Sequence, residues 1–265
     1  MERKIYMKIG CCISVKHVLL AKAFGYDFIE LSANELMSYD EEEWAYIRQQ
    51  IRDAHIPVIG FNSFCDEKHP IVGPNADMKQ LQIYLHTVIH RAYELNCKNI
   101  GIGAPKARSL PENFDYEVAQ EQMKEFLCLA SKMSSQYGIH ILYEAIHPKS
   151  CNFCNSTTEA ANMVRELNLP NVKLVWDVYH SINAMETYEQ IAPLFDIIEH
   201  VHICSWDKAL HRFYLLEKDE HYVKDLTAFL QNQHYQHTLS IEASDNDFER
   251  AGKTAIEMLN VYQLS

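Results

Sequence analysis

The chain has 265 residues and sets 24 Lys and Arg against 36 Asp and Glu, a formal net charge of −12 at pH 7. With 48% hydrophobic and 23% charged residues, its composition is that of a globular protein, which excludes the disordered and fibrous classes. A chain of this length can bury its core as one domain, and residues 1–265 are read as one, since no Pro/Gly/Ser linker or composition shift divides them.

Charge and hydropathy exclude further classes. The acidic balance repels polyphosphate, and no basic stripe offsets it: the longest basic cluster is Arg3-Lys4, and Ala107 separates Lys106 from Arg108. No nucleic-acid partner is expected. The first ten residues lack the apolar core and cleavage site of a signal peptide. No window approaches the roughly 18 uninterrupted apolar residues of a membrane span. Of the eight cysteines, Cys11, Cys12, Cys97 and Cys204 sit in or beside apolar runs. They read as idle thiols of a reducing compartment, which places the protein in the cytoplasm. Cys151 and Cys154 form a Cys-x-x-Cys without a partner pair at zinc-ribbon spacing, so neither a metal nor a redox role is assigned to them.

In chain order, short apolar runs occur at Ile5–Cys12, Asp27–Leu31, Pro57–Phe61, Asn99–Gly103, Ile139–Tyr143, Val172–Trp176, Ile197–Cys204 and Thr238–Ile241. They lack sustained polar alternation, the pattern of strands covered on both faces. Helical spacing fills the intervals. Met78, Leu81, Leu85, Val88, Ile89 and Ala92 make one stripe, and Ala119, Met123, Phe126, Leu127 and Ala130 another. Asp40 before Glu41-Glu42-Glu43 and Ser156 before Glu159 predict helix starts; Gly138 predicts a helix stop. Eight strands alternating with about eight helices predict a closed (β/α)8 TIM barrel. An open doubly wound sheet usually carries a glycine-rich phosphate loop after its first strand, and Gly10-Cys11-Cys12-Ile13-Ser14 is not one.

Chemistry in such a barrel gathers at the C-terminal strand ends. There the sequence offers Glu30, Asn62, Glu144, Asp177, His202 and Glu242. Glu144, Asp177, His202 and Glu242 come from four consecutive strands and are expected to converge on one quadrant of the mouth. Three carboxylates so placed repel one another, and a divalent cation relieves the repulsion. Oxygen-rich ligation with one imidazole suits Mn²⁺, Mg²⁺, Co²⁺ or Zn²⁺. His180, three residues past Asp177, can reach over the same place.

The pieces Tyr143-Glu144, Trp176-Asp177-x-x-His180, His200-Val201-His202 and Ser240-Ile241-Glu242 resemble the sugar phosphate isomerase/epimerase superfamily of xylose isomerase-like barrels. The likeness is to its D-tagatose 3-epimerase and hydroxypyruvate isomerase branch, and it covers nearly the whole chain. Gly103–Pro111 and Asn152–Thr157 with Glu159 are similar to further segments of the family. The resemblance implies one divalent ion, Mn²⁺ foremost, held by Glu144, Asp177, His202 and Glu242. It makes Glu144 and Glu242 the catalytic acid/base pair, with His180 and Arg212 contacting substrate. Asn62 and Glu30 are expected to face substrate too. The implied reaction is isomerisation or epimerisation of a small sugar or hydroxy-carbonyl compound by proton transfer through an enediolate. A dimer is implied by resemblance, whereas composition permits a monomer. Two stretches depart from the pattern. Glu144-Ala145-Ile146-His147-Pro148-Lys149-Ser150 replaces Glu-x-x-Asn-Arg-x-Glu, and Tyr214–Asp219 replaces a Pro-Gly-x-Gly stretch. The alternatives are a barrel that binds a polyol without turning it over and a phosphodiesterase similar to endonuclease IV. Asp219-x-His221 mimics a ligand pair of the latter, but its extra histidines are missing.

Overall fold

The computed structural model describes residues 7–264. Eight parallel strands close a barrel: β1 (Lys8–Ile13), β2 (Phe28–Ser32), β3 (Val58–Asn62), β4 (Asn99–Ile102), β5 (His140–Glu144), β6 (Val172–Asp177), β7 (Ile198–Ile203) and, after an inserted hairpin, β10 (Thr238–Ile241). β10 closes the ring between β7 and β1, and helices fill the crossovers. The apolar runs therefore do become the barrel staves. Part of the first run, Ile5 and Tyr6, lies outside the described residues.

The helices start and stop where local chemistry dictates. Helix Glu41–Asp53 opens on a capping box: Asp40 accepts from the amides of Glu42 and Glu43, and Glu43 accepts from the amide of Asp40. Asp40→Ala is expected to cost about 1 kcal/mol of stability, read from the midpoint shift in urea unfolding. Ser156 caps helix Thr157–Leu167 through the Glu159 amide. The two apolar stripes lie on helices Met78–Glu94 and Tyr116–Ser135, and their residues are buried apart from the partly exposed Met78. The second of these helices ends at Ser135, and Gly138 follows at φ 65°, a conformation that glycine adopts at little cost.

Two details differ from the sequence reading. β2 continues past Glu30 to Ser32, so Glu30 is an interior position of its strand rather than its end. Beyond β7, the strands β8 (Ser205–Trp206) and β9 (Arg212–Phe213) form an antiparallel hairpin over the mouth, with Ser205 opposite Phe213 and Trp206 opposite Arg212. All eight cysteines are free thiols, and seven of them, Cys151 and Cys154 included, are buried. No helix among the described residues is long and apolar enough to cross a membrane.

Candidate active site

Parallel strands in register bring the last residues of neighbouring staves to one rim. Glu144 ends β5, Asp177 ends β6, His202 lies near the end of β7, and Glu242 follows β10, its amide bonded to Ile203 O. One donor atom from each of the four lies within 4.8 Å of the others. Glu144, Asp177 and His202 are buried and Glu242 is partly so.

Each side chain is held from behind. His202 Nδ1 lies 3.3 Å from Glu242 Oε2 yet makes no hydrogen bond, a buried ring nitrogen aimed at the cluster without a hydrogen-bond partner. Its Nε2 lies 3.3 Å from Glu30 Oε1. The same Glu30 oxygen takes His200 Nε2 at 2.8 Å and the Cys12 thiol at 3.6 Å, and His200 Nδ1 meets Thr238 Oγ1 at 2.7 Å. Glu30 thus lies buried behind His202. Asn62 Nδ2 donates to Glu242 Oε1 at 3.2 Å. Asp177 caps the next short helix by accepting from the His180 amide. This sets the His180 imidazole 3.8 Å from Glu144 Oε1 and 3.9 Å from Asp177 Oδ2.

Two glycines make room for these carboxylates. A methyl on Gly103 would stand 2.5 Å from Glu144 Oε2, and one on Gly60 would stand 2.6 Å from Glu30 Oε2. Gly60 is paired with Glu30 across the β2–β3 ladder, so only a residue without a side chain lets the Glu30 carboxylate lie there.

Arg212, on β9, closes the cluster. Its guanidinium lies 2.7 Å from Asp177 Oδ2 and 2.7 Å from Glu242 Oε2, and its Nε donates to Glu242 O at 2.9 Å. Tyr179 lies beneath it, with the guanidinium carbon 4.8 Å from the ring centre.

These charges sort the carboxylates. Burial, reinforced by Glu242 and Asp177, pushes Glu144 up to about 8, against the pull of His202 and Arg212. Burial also disfavours ionised Glu242, but Arg212 and His202 outweigh it and hold that carboxyl well below the usual range. Burial disfavours charged His202, and Glu242 and Glu30 reverse this, raising it well above an ordinary imidazole. His180 goes the other way, to about 4, because burial dominates there, with Arg212 adding to it and Asp177 opposing. Two carboxyls of opposite proton affinity side by side are the arrangement that acid/base chemistry at one centre requires.

Residues 18–262 match the family model of the xylose isomerase-like TIM barrel. The chain belongs to that family. Solved structures of the same fold include three of comparable extent. An AP endonuclease, family 2, from Brucella melitensis has a TM-score of 0.77 and 18% identity, covering 97% of this chain and 99% of that one. The 3-keto-D-glucoside 4-epimerase of E. coli has a TM-score of 0.76 and 17% identity, covering 96% and 99%. The IolI protein with a bound zinc atom has a TM-score of 0.70 and 18% identity, covering 97% of each chain. At such identities the likeness is one of fold. No curated protein sequence is significantly similar to the chain.

Of the positions singled out in the sequence, this xylose isomerase-like barrel brings Glu144, Asp177, His202, Glu242, His180 and Arg212 into one cluster, with Asn62 bonded to its edge. Glu30 reaches the cluster only through His202. Asp219 precedes helix Glu220–Asn232 with its carboxylate turned back to the Leu216 amide at 2.8 Å, and His221 pairs with Asp225 at 3.5 Å on that helix, outside the cluster.

Sequence reasoning passed over Tyr179 and the structural part of His147. The amide of Lys149 donates to His147 Nδ1, so Nε2 carries the proton and faces Tyr179 Oη at 3.2 Å. Tyr179 Oη in turn donates to Leu210 O at 3.1 Å. The segment after β5 therefore ties down the hairpin that carries Arg212. Beside the cluster opens a cavity of about 860 Å³, walled by the ends of β1, β2, β3 and β10 and by the hairpin. Glu242 and Arg212 line it from the cluster side.

Proposed function

We propose that the protein is a divalent-metal-dependent isomerase or epimerase that moves a carbon-bound proton in a small hydroxy-carbonyl compound. The observation that carries this reading is the cluster itself: three carboxylates and a hydrogen-bond-free imidazole nitrogen within 4.8 Å of one another at the mouth of a barrel. That donor set fits a divalent ion, with Mn²⁺ first and Mg²⁺, Co²⁺ or Zn²⁺ also accommodated by its oxygen-rich character. Glu144, Asp177, His202 and Glu242 would hold it. Once bound, the ion would polarise a carbonyl and its neighbouring hydroxyl, which acidifies the C–H between them.

The chain's own residues supply the remainder. Glu242 lines the cavity and is kept ionised by Arg212, which suits it to remove the proton. Glu144, the other carboxylate of the cluster, is suited to return it. His180 and Arg212 border the cluster and contact substrate, and Asn62 fixes the Glu242 carboxylate. Glu30 acts on His202 rather than on substrate: accepting from Nε2, it leaves the Nδ1 lone pair facing the cluster. Unbridged thiols support a cytoplasmic location.

The test is solvent deuterium exchange into a panel of ketoses and 2-oxo acids, followed by mass spectrometry with Mn²⁺ and again after EDTA. Exchange with Mn²⁺ that EDTA abolishes is the expected result. Exchange indifferent to EDTA contradicts the ion's role. Binding without exchange makes the barrel a polyol-binding protein, and cleavage of abasic-site DNA in its place makes it a phosphodiesterase.

A further inference from the structure

The cavity beside the cluster has a second charged wall. Glu35, three residues past the end of β2, lines it together with Ser14, Ser32, Ser63 and Ser244. In the barrel order Glu35 lies across β1 from Glu242. The sequence Ser32-Ala33-Asn34-Glu35 has the form of a capping box, and Ser32 does accept from the Glu35 amide at 3.2 Å. The Glu35 side chain, however, turns away from that cap. Its Oε1 takes Ser14 Oγ at 2.8 Å, the Val15 amide at 3.3 Å and Tyr39 Oη at 3.2 Å. Three donors on one oxygen fix the carboxylate, and the other oxygen takes no hydrogen bond or ion pair from the described residues.

A fixed carboxylate with one oxygen open accepts hydrogen bonds and donates none, so what completes it is a hydroxyl or an ammonium group. An anion is repelled there, and among the described residues that line this cavity no cation is spare to offset the repulsion; Lys16 lines a neighbouring cavity that Glu35 also borders. Arg212 is engaged by Asp177 and Glu242, and His211 lies 3.1 Å from Asp207 Oδ2. The remaining polar wall is hydroxyl and amide.

We infer that Glu35 forms a second subsite of this cavity, which binds the hydroxyl-bearing end of an uncharged substrate and excludes its phosphorylated counterpart. The inference rests on the isomerase reading for the position of the reacting end and adds the substrate class and the residue that selects it. A ketose bound with its carbonyl at the cluster directs its far hydroxyls towards Ser14 and Glu35, whereas a terminal phosphate brings negative charge against a carboxylate that Ser14 and Tyr39 hold in place.

The experiment is calorimetric titration of the Mn²⁺-loaded protein with D-fructose and D-tagatose and with the 6-phosphate of each, on the wild type, Glu35→Gln and Glu35→Arg. Thermal unfolding checks that each variant is folded. The wild type is expected to bind the free ketoses at least about tenfold more tightly than their phosphates. Glu35→Gln keeps an acceptor for Ser14, Val15 and Tyr39 while removing the charge. It should hold the free ketoses within a few-fold and close most of the gap to the phosphates. Glu35→Arg should invert the order. Equal or tighter binding of the phosphates by the wild type, an unchanged ratio in Glu35→Gln, or no binding of any of the four sugars overturns the inference. Binding with the expected ratios but without deuterium exchange sinks the isomerase reading and leaves the Glu35 subsite standing.

Discussion

Glu144→Gln is expected to lower the rate of carbon-bound hydrogen exchange by about 10³-fold, the size of effect that removal of a positioned acid or base produces. Glu242→Gln does the same. The two variants separate in the metal-free protein. Glu144 titrates near 8 in the fold against an ordinary carboxyl value near 4.5, chiefly because it is buried and then because Glu242 and Asp177 face it. Between those values the folded state binds more protons than the unfolded one, so this residue's contribution to stability falls as pH rises from about 4.5 through 8. An amide in its place cannot ionise. Metal-free Glu144→Gln therefore melts above the metal-free wild type at pH 9, and the advantage shrinks towards pH 5. Glu242 has its carboxyl held below the ordinary value, so its contribution is present above about 4.5 and is lost only as pH falls beneath that. Glu242→Gln is accordingly less stable than the wild type at both pH values. Calorimetric melts of the three EDTA-treated proteins at pH 5 and 9 check the pattern, and equal melts of Glu144→Gln and the wild type at pH 9 contradict it.

Glu30→Gln weakens binding of Mn²⁺ or Zn²⁺ by about 10- to 100-fold, although Glu30 is not one of the four cluster residues. The carboxylate accepts from both imidazoles of His200-Val201-His202 and thereby keeps the proton of His202 on Nε2. A glutamine can present its amide hydrogens to the same ring, which favours the tautomer with the proton on Nδ1, facing Glu242. Equilibrium dialysis against the ion measures the loss. Unaltered affinity assigns Glu30 to packing alone.

The sequence disclosed the barrel because its staves are covered on both faces, and such strands appear as unbroken apolar runs ended by polar residues. Glu144, Asp177 and Glu242 stand at those ends, and His202 stands one residue inside the end of β7, so the cluster is legible in the sequence. Glu30 is expected among the substrate contacts for the same reason, whereas its carboxylate lies buried against His200 and His202. The apolar run ended at Leu31 while hydrogen bonding carried β2 on to Ser32. Which way Glu30 points depends on the room left by Gly60, a contact thirty residues away that no local pattern records. The hairpin carrying Arg212 went unread because strands of two residues have no period. Glu35 went unread because the Ser-x-x-Glu signal at Ser32 explains it as a helix start, while its bonds run to Ser14, Val15 and Tyr39.

Gly60 and Gly103 have a wider consequence. In a (β/α)8 barrel the space between the staves is ordinarily filled by branched apolar side chains stacked in layers. Here part of the upper filling is carboxylate and imidazole, admitted because two neighbouring positions contribute no volume at all. The clustered polar groups are thus also packing material. Exchanging them for leucine or methionine of matching volume would leave a quieter and sturdier barrel, since buried charges are often replaced by apolar side chains without loss of stability. The chain retains an interior that resists its own folding on one side, and that resistance is what a cation entering from the mouth would relieve.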